Sequence, residues 1–270
     1  MIDNMFVVDS HAHVFPDKIA LKAMNNIYSF YEFTMPEEPQ CTFSQLQDIC
    51  KAQGVDVCIV HSTALAVHAV ETINTWLSSL KSPAFCPFGT LHLDYPDIPK
   101  EIDRMISLGL KGVKLHPDMQ EFNIDDERAM PIYEACAGKL PILIHLGDPR
   151  VDFSNPRRLA TVLDRFPDLV CIGAHLGGYT KWETGDIDPL YGRDNLYFDT
   201  SSAISFMTPE LAETVIRRHG IDKILFGTDY PVSTADKQLQ RFFEINLSPE
   251  EREKILGLNA AKLLNIPVQA

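Results

Sequence analysis

The 270-residue sequence has no Cys-x-x-Cys pair, no Gly-x-Gly-x-x-Gly turn, no apolar run of membrane-spanning length and no excess of basic residues. Each absence excludes a class. Six scattered cysteines (Cys41, Cys50, Cys58, Cys86, Cys136 and Cys171) argue against a zinc knuckle or disulfide framework and for reduced core residues. Where a dinucleotide-binding turn would carry glycines, this chain has Ser10-His11-Ala12-His13. A net charge of −13 argues against a nucleic-acid partner and an anionic membrane surface. It leaves an anionic small substrate open, because the field at a site can oppose the net charge. With no basic segment leading into an apolar one, the expected location is cytoplasmic. The expected partner is a small molecule, and a homo-oligomer is compatible with the sequence.

What is present is an alternation. Hydrophobic content of 45% and charge of 23% suit a globular chain with a sizeable core. Eight short apolar runs read as strands: Phe6–His13, Val55–Val60, Ala84–Leu93, Lys111–Leu115, Pro141–Leu146, Leu169–His175, Asn195–Thr200 and Lys223–Asp229. Amphipathic, helix-length segments lie between most of them, at Thr42–Gln53, Val67–Leu80, Ile98–Leu108, Glu127–Ala137, Pro156–Phe166 and Pro209–His219. Further helix is expected over Lys18–Phe30, Ala235–Phe243 and Pro249–Leu264. Alternation of this kind implies a parallel sheet with helical crossovers, and eight units in about 250 residues suit a single-domain (β/α)₈ barrel over residues 1–270. A doubly wound open sheet is the alternative.

In such a barrel, chemistry collects at the C-terminal ends of the strands. Seven of the nine histidines fall there: His11, His13, His61, His92, His116, His145 and His175. His11 and His13 are spaced i, i+2 and so face the same side of a strand. His145 and His175 each end a buried strand and precede a glycine turn. Asp229 ends the eighth strand, where a buried carboxylate needs a cation or several hydrogen bonds. His61 and His92 read as hydrogen-bonded rim residues outside the site. Three imidazoles and a carboxylate (His11, His13, His145 and Asp229) suit one divalent metal, with Zn²⁺ expected and Mn²⁺, Fe²⁺ or Ni²⁺ as alternatives. Asp229 would act as general base and acid on a metal-activated water, and His175 would orient that water, polarise a substrate oxygen or bind a second metal.

The motifs Asp-Ser-His-Ala-His, Lys-Gly-Val-Lys-Leu-His-Pro, Ile-His-Leu-Gly-Asp, Gly-Ala-His-Leu-Gly-Gly and Gly-Thr-Asp-Tyr-Pro, with the closing Gly257–Leu264 stretch, resemble the amidohydrolase superfamily. The similarity is greatest to its amidohydrolase-related branch of metal-dependent TIM-barrel hydrolases and decarboxylases. The resemblance implies that His11, His13, His145 and Asp229 hold the catalytic metal and that His175 is a second-metal ligand or an acid/base. Lys114-Leu115-His116-Pro117 is similar to the setting of a carbamylated, metal-bridging lysine in binuclear members, so Lys114 and His175 would join the ligands if two ions bind. A single ion is the favoured state. His116 shares a strand face with Lys114 and is a candidate substrate contact. Arg150 is the candidate grip on a substrate carboxylate, against a plain surface arginine paired with Asp148 or Asp152. The expected reaction is hydrolysis of an amide, lactone or ester. Non-oxidative decarboxylation is the alternative from another reaction class, and a non-catalytic ligand-binding barrel is the third reading.

Overall fold

A computed structural model describes residues 5–36 and 42–268. Nine strands run in parallel: β1 (Val8–His13), β2 (Val57–His61), β3 (Phe85–Pro87), β4 (Gly89–Thr90), β5 (Val113–Leu115), β6 (Ile142–Ile144), β7 (Cys171–Gly173), β8 (Leu196–Asp199) and β9 (Ile224–Leu225). The sheet has two ladders, β1-β2-β3 and β4-β5-β6-β7-β8-β9. The single third strand expected over Ala84–Leu93 is therefore two short ones. Pro87 has no N–H to donate, and the chain changes partner at Phe88, whose N–H bonds Val60 O at 2.9 Å while Gly89 N–H bonds Gly112 O at 2.9 Å. The two halves occupy one position in the wall, so eight units remain. The wall closes where Ser10 N–H bonds Phe226 O (2.8 Å), Asp229 N–H bonds His11 O (2.9 Å) and His13 N–H bonds Tyr230 O (2.7 Å). The architecture is a (β/α)₈ barrel.

Twelve α-helices lie around it among the described residues. The first are α1 (Asp17–Phe30), α2 (Phe43–Ala52), α3 (Val70–Ser78) and α4 (Ile98–Ser107). Next come α5 (Pro117–Gln120), α6 (Met130–Cys136), α7 (Pro156–Arg165) and α8 (Ala203–Phe206), then α9 (Pro209–His219) and α10 (Ala235–Glu244). The helix expected over Pro249–Leu264 is α11 (Pro249–Glu253) and α12 (Asn259–Leu264) joined by a π-helical turn over Lys254–Leu258. Gly257 explains the wide turn: a Cβ there would stand 2.1 Å from Phe6 O, so the backbones touch. Helix starts follow sequence signals. Thr42 and Gln45 form a reciprocal capping box on α2, and Asp97, Asn155 and Thr208 cap α4, α7 and α9.

The barrel interior is filled by Val8, Val57, Ile59, Phe88, Leu143 and Ile172 among others, with Ala260 and Leu264 of α12 plugging the N-terminal end. A second, larger core lies between the strands and the outer helices. Cys50, Cys58, Cys86, Cys136 and Cys171 are free and buried, and Cys41 lies outside the described residues. Apolar contacts of α12 close the N-terminal end of the interior, and the strand-end histidines collect at the opposite mouth.

Candidate active site

The mouth gathers the side chains from strands far apart in sequence. Between Asp9 and Ala12 the β1–β2 register slips, a bulge that re-aims His11. His11 Nε2 and His13 Nε2 then lie 3.3 Å apart, and Asp229 Oδ1 is 3.4 Å from each. Three ligand atoms on a tetrahedral ion at about 2.1 Å would be separated by about 3.4 Å, so this triangle fits a divalent metal. The tautomer of His11 suits it too. Its Nδ1–H donates to Asp199 Oδ2 at 2.9 Å, which turns the lone pair of Nε2 toward the other two atoms. Asp199 is held by His175 N–H at 3.0 Å, Ser201 N–H at 3.1 Å and the Ser201 hydroxyl.

Asp229 is held by more than its neighbours' charge. It has φ of 65°, and Ser202, with φ of 52°, donates its hydroxyl to Asp229 Oδ2 at 2.6 Å. His175 has φ of 58°, so three non-glycine residues at the mouth are in the left-handed region, as strained positions at functional sites often are. Burial pushes the Asp229 carboxyl up, but the His13 hydrogen bond, His175 and Ser202 outweigh it and hold it below the usual range. Burial holds His11, His13 and His145 below the ordinary imidazole value, helped by Lys114 and neighbouring rings. Neutral imidazoles and an ionised carboxylate are the forms that bind metal. Lys114 is fully buried with Nζ 3.2 Å from His11 Nε2, and desolvation lowers its pKa to about 8 against the pull of Asp199 and Asp229.

His145 lies beside this triangle in a second group. Its ring is stacked on His116 with centroids 4.1 Å apart. Its Nε2 faces Gly147 O at 3.0 Å and its Nδ1 faces His175 Nε2 at 3.0 Å. On the far side, His175 Nδ1 faces Ser201 O at 2.8 Å. A carbonyl oxygen only accepts, so both outer nitrogens carry hydrogen and the two inner ones bring lone pairs together. The gap between them is suited to one proton or one metal ion.

Of the two arrangements open to Arg150, the structure has the pairing with Asp148. Its guanidinium is engaged with Asp148 (Nε–Oδ1 3.0 Å, Nη2–Oδ2 2.7 Å), donates to Phe30 O and lies 4.7 Å over the Phe30 ring. The result is to hold the turn after α1, which carries Tyr31. The Tyr31 hydroxyl reaches His116 Nε2 at 2.8 Å and stands 3.4 Å from His145 Nε2. His61 differs from its expected rim position: it is fully buried, with ring centroids 4.5 Å from His13 and 4.8 Å from His11. His92, by contrast, is at the rim, accepting from Asp94 N–H at 3.2 Å. Asp199, Ser201 and Ser202 are residues that reading by strand ends passed over. Asp199 had the same signal as Asp229, a carboxylate closing an apolar strand.

A cavity of about 30 Å³ lies over these groups, walled by His13, Tyr31, His145, His175, Tyr179 and Asp229. A second, mainly apolar cavity of about 210 Å³ adjoins it, sharing His13, Ile27 and Met119 and reaching Phe15, Ile73 and Trp76.

The same fold occurs in solved structures of low sequence identity. 5-Carboxyvanillate decarboxylase from Sphingomonas paucimobilis is 16% identical, with a TM-score of 0.77 over 98% of this chain and 100% of that one. Dihydroxybenzoic acid decarboxylase from Polaromonas sp. JS666, solved with manganese and the inhibitor 2-nitroresorcinol, is 16% identical, with a TM-score of 0.74 over 98% of both chains. An uncharacterised TIM-barrel protein from Bordetella bronchiseptica is 20% identical, with a TM-score of 0.73 over 97% of this chain and 99% of that one. The amidohydrolase family profile matches residues 8–266, which takes in all nine strands and every group at the mouth, and the chain belongs to that family.

Proposed function

We propose that the protein is a divalent-metal-dependent, non-oxidative decarboxylase of a small carboxylic acid with a flat, apolar body. His11, His13 and Asp229 would hold the ion, which as a Lewis acid would draw electron density from substrate oxygen. Manganese in the Polaromonas relative makes Mn²⁺ as good a candidate as the Zn²⁺ expected from the ligand types. Lys114 would stay unmodified beside a single ion, or become a bridging carbamate beside two.

The observation that carries the reading is the His145–His175 pair. Its inner nitrogens, 3.0 Å apart, face each other at the pocket wall with their outer hydrogens committed, so the pair is placed to carry a proton between them and would hand it on. Breaking the bond to the carboxylate leaves its electron pair on carbon and releases CO₂, and the shared proton goes to that carbon. No free guanidinium lines the cavity among the described residues, so the acid group would rest against the ion and the body of the substrate would extend toward the adjoining apolar cavity. The decarboxylases among the similar structures support this chemistry.

Hydrolysis is the second reading, favoured by one observation. Asp229 is ionised and on the cavity wall, where it can take a proton from water and pass it to a leaving group. The test is the Mn²⁺- or Zn²⁺-loaded protein assayed against hydroxybenzoates for CO₂ release and against lactones, esters and amides for ring opening or cleavage. CO₂ release from an aromatic acid is expected. Lactone, ester or amide cleavage without CO₂ from any acid would replace this reading with the hydrolytic one. Asp229→Asn should lose turnover by a factor of about 10³ or more while its melting temperature stays close to wild type, since a charged ligand of the ion is lost and, in the hydrolytic reading, the acid–base group with it. Undiminished turnover in that variant would remove Asp229 from the chemistry.

A further inference from the structure

We propose that the apolar cavity beside His13 is the subsite that selects the substrate, taking an uncharged, ring-sized body and turning away an acid that carries a second charge. The proposal rests on the reading of the mouth as the seat of an acid group against a bound ion. Its first ground is volume. The cavity over the site measures about 30 Å³, room for roughly two water-sized groups, such as the two oxygens of a carboxylate. An aromatic ring does not fit there. A dry cavity of about 150 Å³ holds benzene, so the adjoining cavity of about 210 Å³ takes a ring with roughly two further carbons.

The second ground is continuity. His13, Ile27 and Met119 line both cavities, so a ligand candidate of the ion stands on the border of the two. An acid whose carboxylate lies against the ion beside His13 can therefore place its body in the larger cavity. Met119, unbranched and adaptable, is the border side chain best able to yield to a molecule that spans both. Ile19 and Leu65, also on the wall of the larger cavity, are 50% and 47% exposed, which leaves an apolar entrance from outside.

The third ground is the chemistry of the wall. Phe15, Ile27, Ile73, Trp76 and Met119 make it apolar, and the indole among them suits an aromatic guest. No lysine, arginine, aspartate or glutamate lines it among the described residues. Its small polar side chains are committed or peripheral. The Ser62 hydroxyl donates to Val14 O, the Thr63 hydroxyl oxygen is itself buried, and Asn26 and Thr72 are exposed at the rim. A second charge would lose its water here and gain no partner, whereas an uncharged ring loses nothing polar.

The test is titration calorimetry of the Mn²⁺-loaded, full-length protein with benzoate, 4-ethylbenzoate and 4-carboxybenzoate. Each buried methylene-sized group is worth about fourfold, so 4-ethylbenzoate should bind about 15-fold tighter than benzoate, and 4-carboxybenzoate no tighter than benzoate. Affinities of benzoate and 4-ethylbenzoate within twofold of each other would overturn the proposal. So would 4-carboxybenzoate binding as tightly as 4-ethylbenzoate, or no binding of 4-ethylbenzoate at millimolar concentration. Ala23→Phe on α1 and Ile73→Trp on α3 each add a ring at the cavity wall and should bring the ratio of the two affinities close to one. An undiminished ratio in either folded variant would put the ethyl group elsewhere and overturn the proposal. The comparison in wild type decides the matter even where neither variant folds. Because the readout is binding, it is separate from the assay of CO₂ release. Preference for 4-ethylbenzoate without CO₂ release from any acid would leave the subsite and remove the decarboxylase reading, and CO₂ release without that preference would do the reverse.

Discussion

Asp199 shows how much of the site is set by a fully buried residue behind the cavity wall. Its carboxylate accepts the Nδ1–H of His11 and three further hydrogen bonds, while burial pushes its pKa up against the charge of His175 and those bonds. Without it His11 could take the other tautomer, with hydrogen on the nitrogen that faces Asp229 and His13. Asp199→Ala is therefore expected to weaken divalent-metal binding about 10–100-fold, read by titration of metal-stripped protein. Unchanged affinity would mean that the tautomer is fixed by something else. His11, His13 and Asp229 were recognisable in the sequence because histidine and aspartate at strand ends are rarely needed for packing. His61 carried the same signal, but nothing local separates a rim histidine from one folded under its neighbours. Arg150 was ambiguous for a similar reason: its choice between a substrate and Asp148 depends on where the turn after α1 lies.

Two short segments shape the mouth. The turn after α1 carries Tyr31 over the pocket and is fastened by Arg150 to Phe30 O and Asp148. Tyr31→Phe removes the hydroxyl that bonds His116 and is expected to raise the KM for substrate roughly fivefold, the equivalent of one hydrogen bond of about 1 kcal/mol. A fall in kcat with unchanged KM would instead put Tyr31 in the chemical step. The other segment follows β6. Gly147 has φ of 83°, and a Cβ there would lie 2.4 Å from Tyr179 O and 2.5 Å from Tyr179 N. Gly147→Ala is expected to cost about 1–3 kcal/mol, measured by denaturant unfolding, because the strain and the backbone clash add. The glycine turn was visible in the sequence; that its lack of a side chain makes room for the backbone of the β7 loop was not.

At the level of the molecule, the protein is a closed barrel with a plugged end, and none of the described helices is long and apolar enough to cross a membrane. Its acid stability should reflect buried imidazoles away from the site. His219, on α9, is stacked on Phe198 with centroids 3.7 Å apart, and its Nε2 faces Leu196 O at 3.0 Å. Burial lowers its pKa from 6.5 to about 4, with the Leu196 carbonyl opposing. Between those values the unfolded chain binds the proton and the folded one does not, so stability is full above pH 6.5 and falls as pH drops toward 4. The loss approaches about 3 kcal/mol for a shift of this size. His219→Gln should flatten the fall in melting temperature across this window, and a parallel pH dependence in wild type and variant would show that other groups dominate.

The sequence by itself determined the eightfold alternation, the end of the barrel at which polar residues collect, and the histidine and aspartate types at that end. These are local properties: strand and helix periods and the placement of apolar residues are written in neighbouring positions. Only the tertiary structure decided the split third strand, the pairing of His145 with His175, the engagement of Arg150 with the wall and the burial of His61. Each depends on register between strands, on the β1 bulge and on closure of β9 against β1. Those settle distances of 3–5 Å between residues many positions apart, and no short-range pattern records them.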